Sequence, residues 1–332
     1  MPQQPKNGHS FTASEIEGAS AGGRYQMRIA SLVPHATELL YALRLGPQVV
    51  AVTHECDYPP QAQELLKLTR DVLPPHLSTA EIDAAVRERT LEGEAIYELD
   101  ELALAESRPN LIVTQALCPV CAVSYEEVSE VAQRLSSKPE VISLDPHTLG
   151  ETLSDIRTIA EATGRRDEGV DLIQQIADRI DKVKLAVRGL PRPRVLALEW
   201  LDPVFVAGHW TPQMIEFAGG EDVLGMPGES SQELSWELIA ATKPEVVVVM
   251  PCGYDAKRSH QEALDHSEKL ASLHAERIVA VDASACFSRP GPRLIDGLEL
   301  LAHILHPQQA PSPAYPPIEV DLQTLESRAG ER

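Results

Sequence analysis

The chain has 332 residues, with 29 Lys plus Arg against 50 Asp plus Glu, giving a formal charge of −21. That excess repels phosphate backbones and anionic lipid headgroups, which excludes nucleic acid and membrane surface as main partners. The length suits two domains, the 43% hydrophobic and 24% charged residues suit folded lobes, and no apolar run approaches the ~20 residues of a bilayer span.

Residues 1–27 are polar and Gly/Ser-rich, expected to be disordered, and lack the apolar core of a secretory signal. Five cysteines, an odd number, fit a reducing compartment better than a disulfide framework. The expected location is cytoplasmic, or periplasmic or cell-surface if the natural start differs.

A first lobe is expected over residues 28–147. Residues 28–33 (RIASLV) read as a short apolar strand stopped by Pro34, and residues 37–43 as a helix closed by Gly46. Further strands are predicted at 49–53, 111–114 and 141–144. Short continuous apolar strands alternating with helices indicate a parallel sheet covered on both faces. Residues 148–190 carry no strand signal. Thr148 and Glu151 form a capping box, and apolar residues at helical spacing, interrupted at Gly164, predict a long stiff connecting helix.

A second lobe is expected over 191–306, because the same grammar returns. Residues 28–32 are echoed by 194–198, 108–113 by 243–248, and 141–145 by 278–282, in the same order. The tail 307–332 is Pro-rich, then charged, and is expected to be disordered or loosely packed.

In open α/β sheets, ligands sit beyond the carboxyl ends of the strands, and here those segments hold the chemistry. All five cysteines (56, 118, 121, 252 and 286) fall in them. Cys118-x-x-Cys121 has three readings: a pair lining the cleft, a soft-metal site, or a redox pair. His54, Cys56 and Cys252 are further metal candidates, with the bland alternative that residues 54–57 form a turn capped by Asp57. His209 lies beside Trp210, with Thr211 as expected N-cap and Pro212 at the first helical position. Trp200 and Phe287 offer flat surface to a planar ligand, or else plug the lobe interface. The chain carries no GxGxxG, GxxxxGK[ST] or GxSxG, so no enzymatic mechanism suggests itself and no enzyme is expected.

The residues also carry a resemblance. RIASLVPHATE (28–38), DYPP (57–60), RPNLI (108–112), GGE (219–221) and SRPGPR (288–293) resemble the substrate-binding proteins of ABC importers for vitamin B12, iron–siderophores and haem. The similarity runs from about residue 28 to 306 and is nearest to the cobalamin-binding branch. It implies two Rossmann-like α/β lobes, each with a mainly parallel sheet, joined by one long rigid helix, with a ligand cleft between them. The ligand contacts it implies fall on His35, Tyr58, Gln115, Leu117 and Trp200 on one stretch, and on His209, Trp210, Tyr254, Phe287 and Arg289 further along. It also implies that Glu64 and Glu221 dock the permease. Two departures stand out: the cysteines of the cleft, and an extra segment at about 76–98 that should add helix beside the cleft mouth.

The leading expectation is a monomeric binding protein that holds cobalamin or a related corrinoid for an ABC permease. His209, His35 or the Cys118 thiolate are the candidates to approach the cobalt. The alternatives are a cytoplasmic metal- or haem-binding protein using Cys and His ligands, and a CxxC thiol redox protein.

Overall fold

A computed structural model describes residues 27–92, 94–116 and 123–321. The first lobe begins with β1 (Ile29–Ser31), α1 (Pro34–Ala42), β2 (Val49–Val52), β3 (Leu66–Lys67), β4 (Thr69–Asp71) and α2 (Thr79–Glu92). It continues with β5 (Tyr97–Leu99), α3 (Glu101–Ser107), β6 (Leu111–Thr114), α4 (Tyr125–Arg134) and β7 (Glu140–Ser143). Five strands form a sheet in the order β3-β2-β1-β6-β7, and every pair is parallel. Pro34 does not merely stop β1. It opens α1, where its missing N–H costs nothing and its fixed φ suits the first helical turn.

The connecting stretch contains two helices, α5 (Leu149–Ala162) and α6 (Arg166–Ala186). The capping box at Thr148 and Glu151 is present, but the one long helix expected over 148–190 is two, the longer being the 21-residue α6. Its predecessor α5 is separate because the chain turns at Gly164, whose φ of +68° favours glycine. The two helices pack closely: a Cβ on Gly169 of α6 would lie 2.5 Å from the Ala160 Cβ of α5.

The second lobe comprises β8 (Arg194–Leu201), β9 (Val204–Val206), α7 (Thr211–Phe217), β10 (Glu221–Asp222), β11 (Gln232–Glu233), α8 (Trp236–Ala241) and β12 (Val246–Val249). After these come α9 (Ala256–Asp265), α10 (Ser267–Ala271), β13 (Arg277–Ala280), α11 (Ala283–Cys286), α12 (Leu294–Leu305) and β14 (Ile318–Glu319). Its seven-stranded sheet is parallel at β10/β8, β8/β12 and β12/β13, with antiparallel β9, β11 and β14 added at its margins. The tail is therefore not loose before residue 321. β14 pairs with β13, and Val320 is buried.

The internal repeat extends to individual bonds. β1, β6 and β7 correspond to β8, β12 and β13, joined in the same parallel order. Arg28 donates from Nε to the Ser107 carbonyl at the end of α3 (2.9 Å), and Arg194 donates from Nη2 to the Thr242 carbonyl at the end of α8 (2.7 Å). Each guanidinium satisfies a carbonyl that the helix end leaves without a partner. The next residues, Arg108 and Lys243, both have left-handed backbone, φ 44° and 50°.

Along the strands, alternate residues enter different cores. Ile29, Leu111 and Val113 face one cluster while Ala30 and Ile112 face another. Val195, Ala197 and Val248 join that first cluster, and Leu196, Leu198 and Val247 form a third. One apolar cluster thus runs through α5, α6, α7 and α12 from lobe to lobe. A shared core of this kind resists hinge motion more than a bare linker would.

Candidate ligand-binding site

The lobes meet at α1 and the 288–293 segment. Glu38 of α1, with its side chain 2% exposed, accepts a hydrogen bond at 2.9 Å from Arg293 Nε and a second from Nη2. The Arg293 guanidinium lies 4.2 Å over the Tyr58 ring, a cation–π contact. Arg289 pairs with Asp57, lies 3.7 Å from Glu38, and donates to the Glu55 carbonyl at 3.2 Å. The two arginines of SRPGPR therefore clamp the first lobe.

Beside this clamp opens a groove of about 1110 Å³. Tyr58 and Glu64 of the first lobe, Arg293 and Asp296 of the second, and Arg179 of α6 line it. The other side of the lobe junction holds the strand ends. There Trp200 stands edge-on to Tyr254, ring centres 5.6 Å apart, and Tyr97 donates to Glu55 at 3.1 Å. His209 lies 5.8 Å from His147 and 5.5 Å from Trp210. Burial, then the nearby His147 charge, lowers the His209 pKa. The pocket at His209 and Trp210 is only about 10 Å³, room for one water.

Several expected site residues are placed otherwise. Trp210 and Phe287 are 6% and 3% exposed, and the Trp210 indole donates to the Phe287 carbonyl at 2.8 Å. They plug the interior and line only the small pocket beside His209. His35 is buried in the clamp, and burial followed by the Arg289 charge lowers its pKa to about 3. A neutral, enclosed imidazole does not approach a ligand in the groove. Gln115 and Tyr254 are buried, the latter beneath the Arg258 guanidinium at 3.6 Å. Trp210, not Thr211, occupies the N-cap of α7.

The metal expectation fares no better. Among the described residues, no group of three or more His, Cys, Asp or Glu side chains is arranged to hold a metal ion. Cys56 is a core residue, with its sulfur 3.1 Å from Thr37 Oγ1 and 3.3 Å from Thr53 Oγ1. Burial pushes its thiol pKa up. His54 is occupied with Thr69, Nδ1 to Oγ1 2.8 Å. Cys286 is likewise core, in α11 rather than a loop. Cys252 alone of these is exposed, yet the surrounding protein, then Glu199 and Glu55, push its pKa up to about 12. Leu117, Cys118 and Cys121 lie outside the described residues.

Glu38, Arg293 and His147 were not singled out by the sequence. Glu38 and Arg293 do stand inside the motifs PHATE and SRPGPR, which was the available signal. Glu64 is exposed on the groove rim, and Glu221 is exposed while pairing with Arg194 at 3.2 Å.

The family model described as periplasmic binding protein matches residues 29–280. The chain belongs to this family. Among its relatives, the vitamin B12-binding protein of Vibrio cholerae serotype O1 is 24% identical over 274 residues, covering 82% of this chain and 86% of that one. Among solved structures, a periplasmic haem-binding protein from Pseudomonas aeruginosa matches with TM-score 0.65 at 18% identity, over 89% of this chain and 98% of that one. The periplasmic vitamin B12-binding protein BtuF of Vibrio cholerae matches with TM-score 0.60 at 21% identity, over 84% and 98%. The fold is that of the two-lobed substrate-binding proteins. The relatives are periplasmic by name, which supports the periplasmic alternative; nothing supports the cytoplasmic one.

Proposed function

We propose that this protein is the substrate-binding component of an ABC importer and holds a corrinoid of the vitamin B12 type in the groove between its lobes. The observation that carries this reading is the groove's size together with its charge balance. At about 1110 Å³ it reaches the upper end of small-molecule sites, as a macrocycle requires. Its lining sets three carboxylates (Glu38, Glu64, Asp296) against three guanidiniums (Arg44, Arg179, Arg293). Arg179 is committed to Asp296 and Glu299 at 2.6 and 2.7 Å, and Arg293 to Glu38. A corrinoid, fringed with neutral amides, needs donors and acceptors there. A haem, with two carboxylates, would need cations beyond Arg44, the one guanidinium of this lining that no lining carboxylate holds, and in a chain of charge −21 it would meet repulsion. Glu64 and Glu221 remain the proposed permease contacts, Glu221 in competition with Arg194.

Isothermal titration with cyanocobalamin and, separately, haemin tests the reading. The expected result is one cobalamin site per chain at micromolar affinity or tighter, about −8 kcal/mol, and no saturable haemin binding. Replacing Tyr58, which is 42% exposed and open to the groove, by Ala should weaken cobalamin about tenfold or more. Tighter haemin binding, or an unchanged affinity in Tyr58→Ala, overturns the assignment.

A further inference from the structure

The extra segment of the first lobe does more than stand beside the cleft. It is carried on the β4/β5 ribbon, whose strands pair Thr69 with Leu99 and Asp71 with Tyr97, so the chain leaves and returns at adjacent points. From that stalk α2 reaches across to the second lobe. Thr79 Oγ1 donates to Glu262 Oε1 at 2.7 Å, the Trp200 indole donates to the Thr79 carbonyl at 3.3 Å, and Arg87 pairs with Glu233 at 2.7 Å.

These contacts are few and polar. Thr79 is the single buried residue of α2, whereas α12 buries nine. The Arg87–Glu233 pair is about half exposed, 51% and 47%, so water competes for it readily. Ile82 and Val86 of α2 are only half-buried, and neither belongs to an apolar cluster of the two lobes. Beneath it stands Trp200, the aromatic at the carboxyl end of the long strand β8.

We infer that α2 is a detachable lid: it covers Trp200 and lifts from the second lobe, uncovering the strand ends across the lobe junction from the groove. The lid rests on these contacts. Elements held by few buried contacts open well below the global unfolding free energy.

The test uses hydrogen exchange by mass spectrometry on the full chain. The amides of α2 should exchange at least about a hundredfold faster than those of α12. The Thr79→Val/Arg87→Ala double variant removes two of the three contacts. It should speed α2 exchange about tenfold while leaving exchange of α12 unchanged. Arg87→Ala alone, at an exposed site, provides a folded variant should the double one misfold. Equal protection of α2 and α12, or a variant that leaves α2 exchange unaltered, overturns the lid.

Discussion

Glu38 and Arg293, 255 positions apart, form a buried bidentate pair that ties the first lobe to the second. A charge pair with both side chains nearly enclosed (2% and 11% exposed) is costly to desolvate, but breaking it by removing one partner is costlier still. Glu38→Gln should therefore destabilise the protein by about 3 kcal/mol, read as a lower urea midpoint. The Glu38→Gln/Arg293→Met double variant should lose less than the two single variants summed. Additive losses in that double-mutant cycle would show that the pair is uncoupled.

His35 sits in the same clamp, held neutral. Its pKa is lowered from 6.5 to about 3, so the unfolded chain binds the proton more readily than the folded one. The stability linked to it is complete above pH 6.5 and is lost as pH falls from 6.5 toward 3. Relative to wild type, His35→Gln should show a flatter stability profile between pH 6.5 and 4 in urea titrations. Parallel profiles would remove His35 as the acid-sensitive group.

Asp155 on α5 carries the opposite sign. Burial, then the charges of Asp145 and Glu151, raise its pKa from 3.8 to about 7, and its Oδ2 has no hydrogen-bond partner. Ionising it costs more in the folded state, so its contribution to stability falls as pH rises from 3.8 to about 7. The side chain is only half-buried, so the nominal cost is reduced by solvent screening to about 1–2 kcal/mol. Asp155→Asn should gain that much at pH 8 and nothing at pH 3.5, measured by chemical denaturation at both.

Gly169 permits the close approach of α6 to α5. An added Cβ meets Ala160 at 2.5 Å, so Gly169→Ala should cost about 1–3 kcal/mol despite the better helix propensity of Ala. Gly150 of α5 has nothing nearer than 3.9 Å, and Gly150→Ala should be neutral or stabilising by up to about 1 kcal/mol. Thermal melts of the two variants compare packing with propensity directly.

Of Cys56, Cys252 and Cys286, only Cys252 should react with iodoacetamide in the native state, because the other two are buried. Its pKa, raised to about 12, leaves few thiolates near neutral pH. Labelling should therefore run more than about a hundredfold slower than for free cysteine, followed by peptide mass spectrometry. Rapid modification would contradict the raised pKa.

The sequence by itself determined the architecture. Continuous apolar strands such as 111–114 and 246–249 require cover on both faces, and the repeated Arg–strand grammar marked two lobes because the same carbonyl-capping chemistry recurs at Arg28 and Arg194. The capping box at Thr148 was legible because its partners lie three residues apart. Tertiary structure alone decided which strand-end residues are enclosed. A loop signal does not say whether Cys56 or Trp210 turns inward, and both did, toward hydrogen-bond partners that no local spacing reveals. The clamp of Glu38 with Arg293, and the reach of α2 to Trp200 and Glu262, join residues more than a hundred positions apart. Pairings at that range follow from how the two sheets are set against each other, and no periodicity in the chain encodes that geometry.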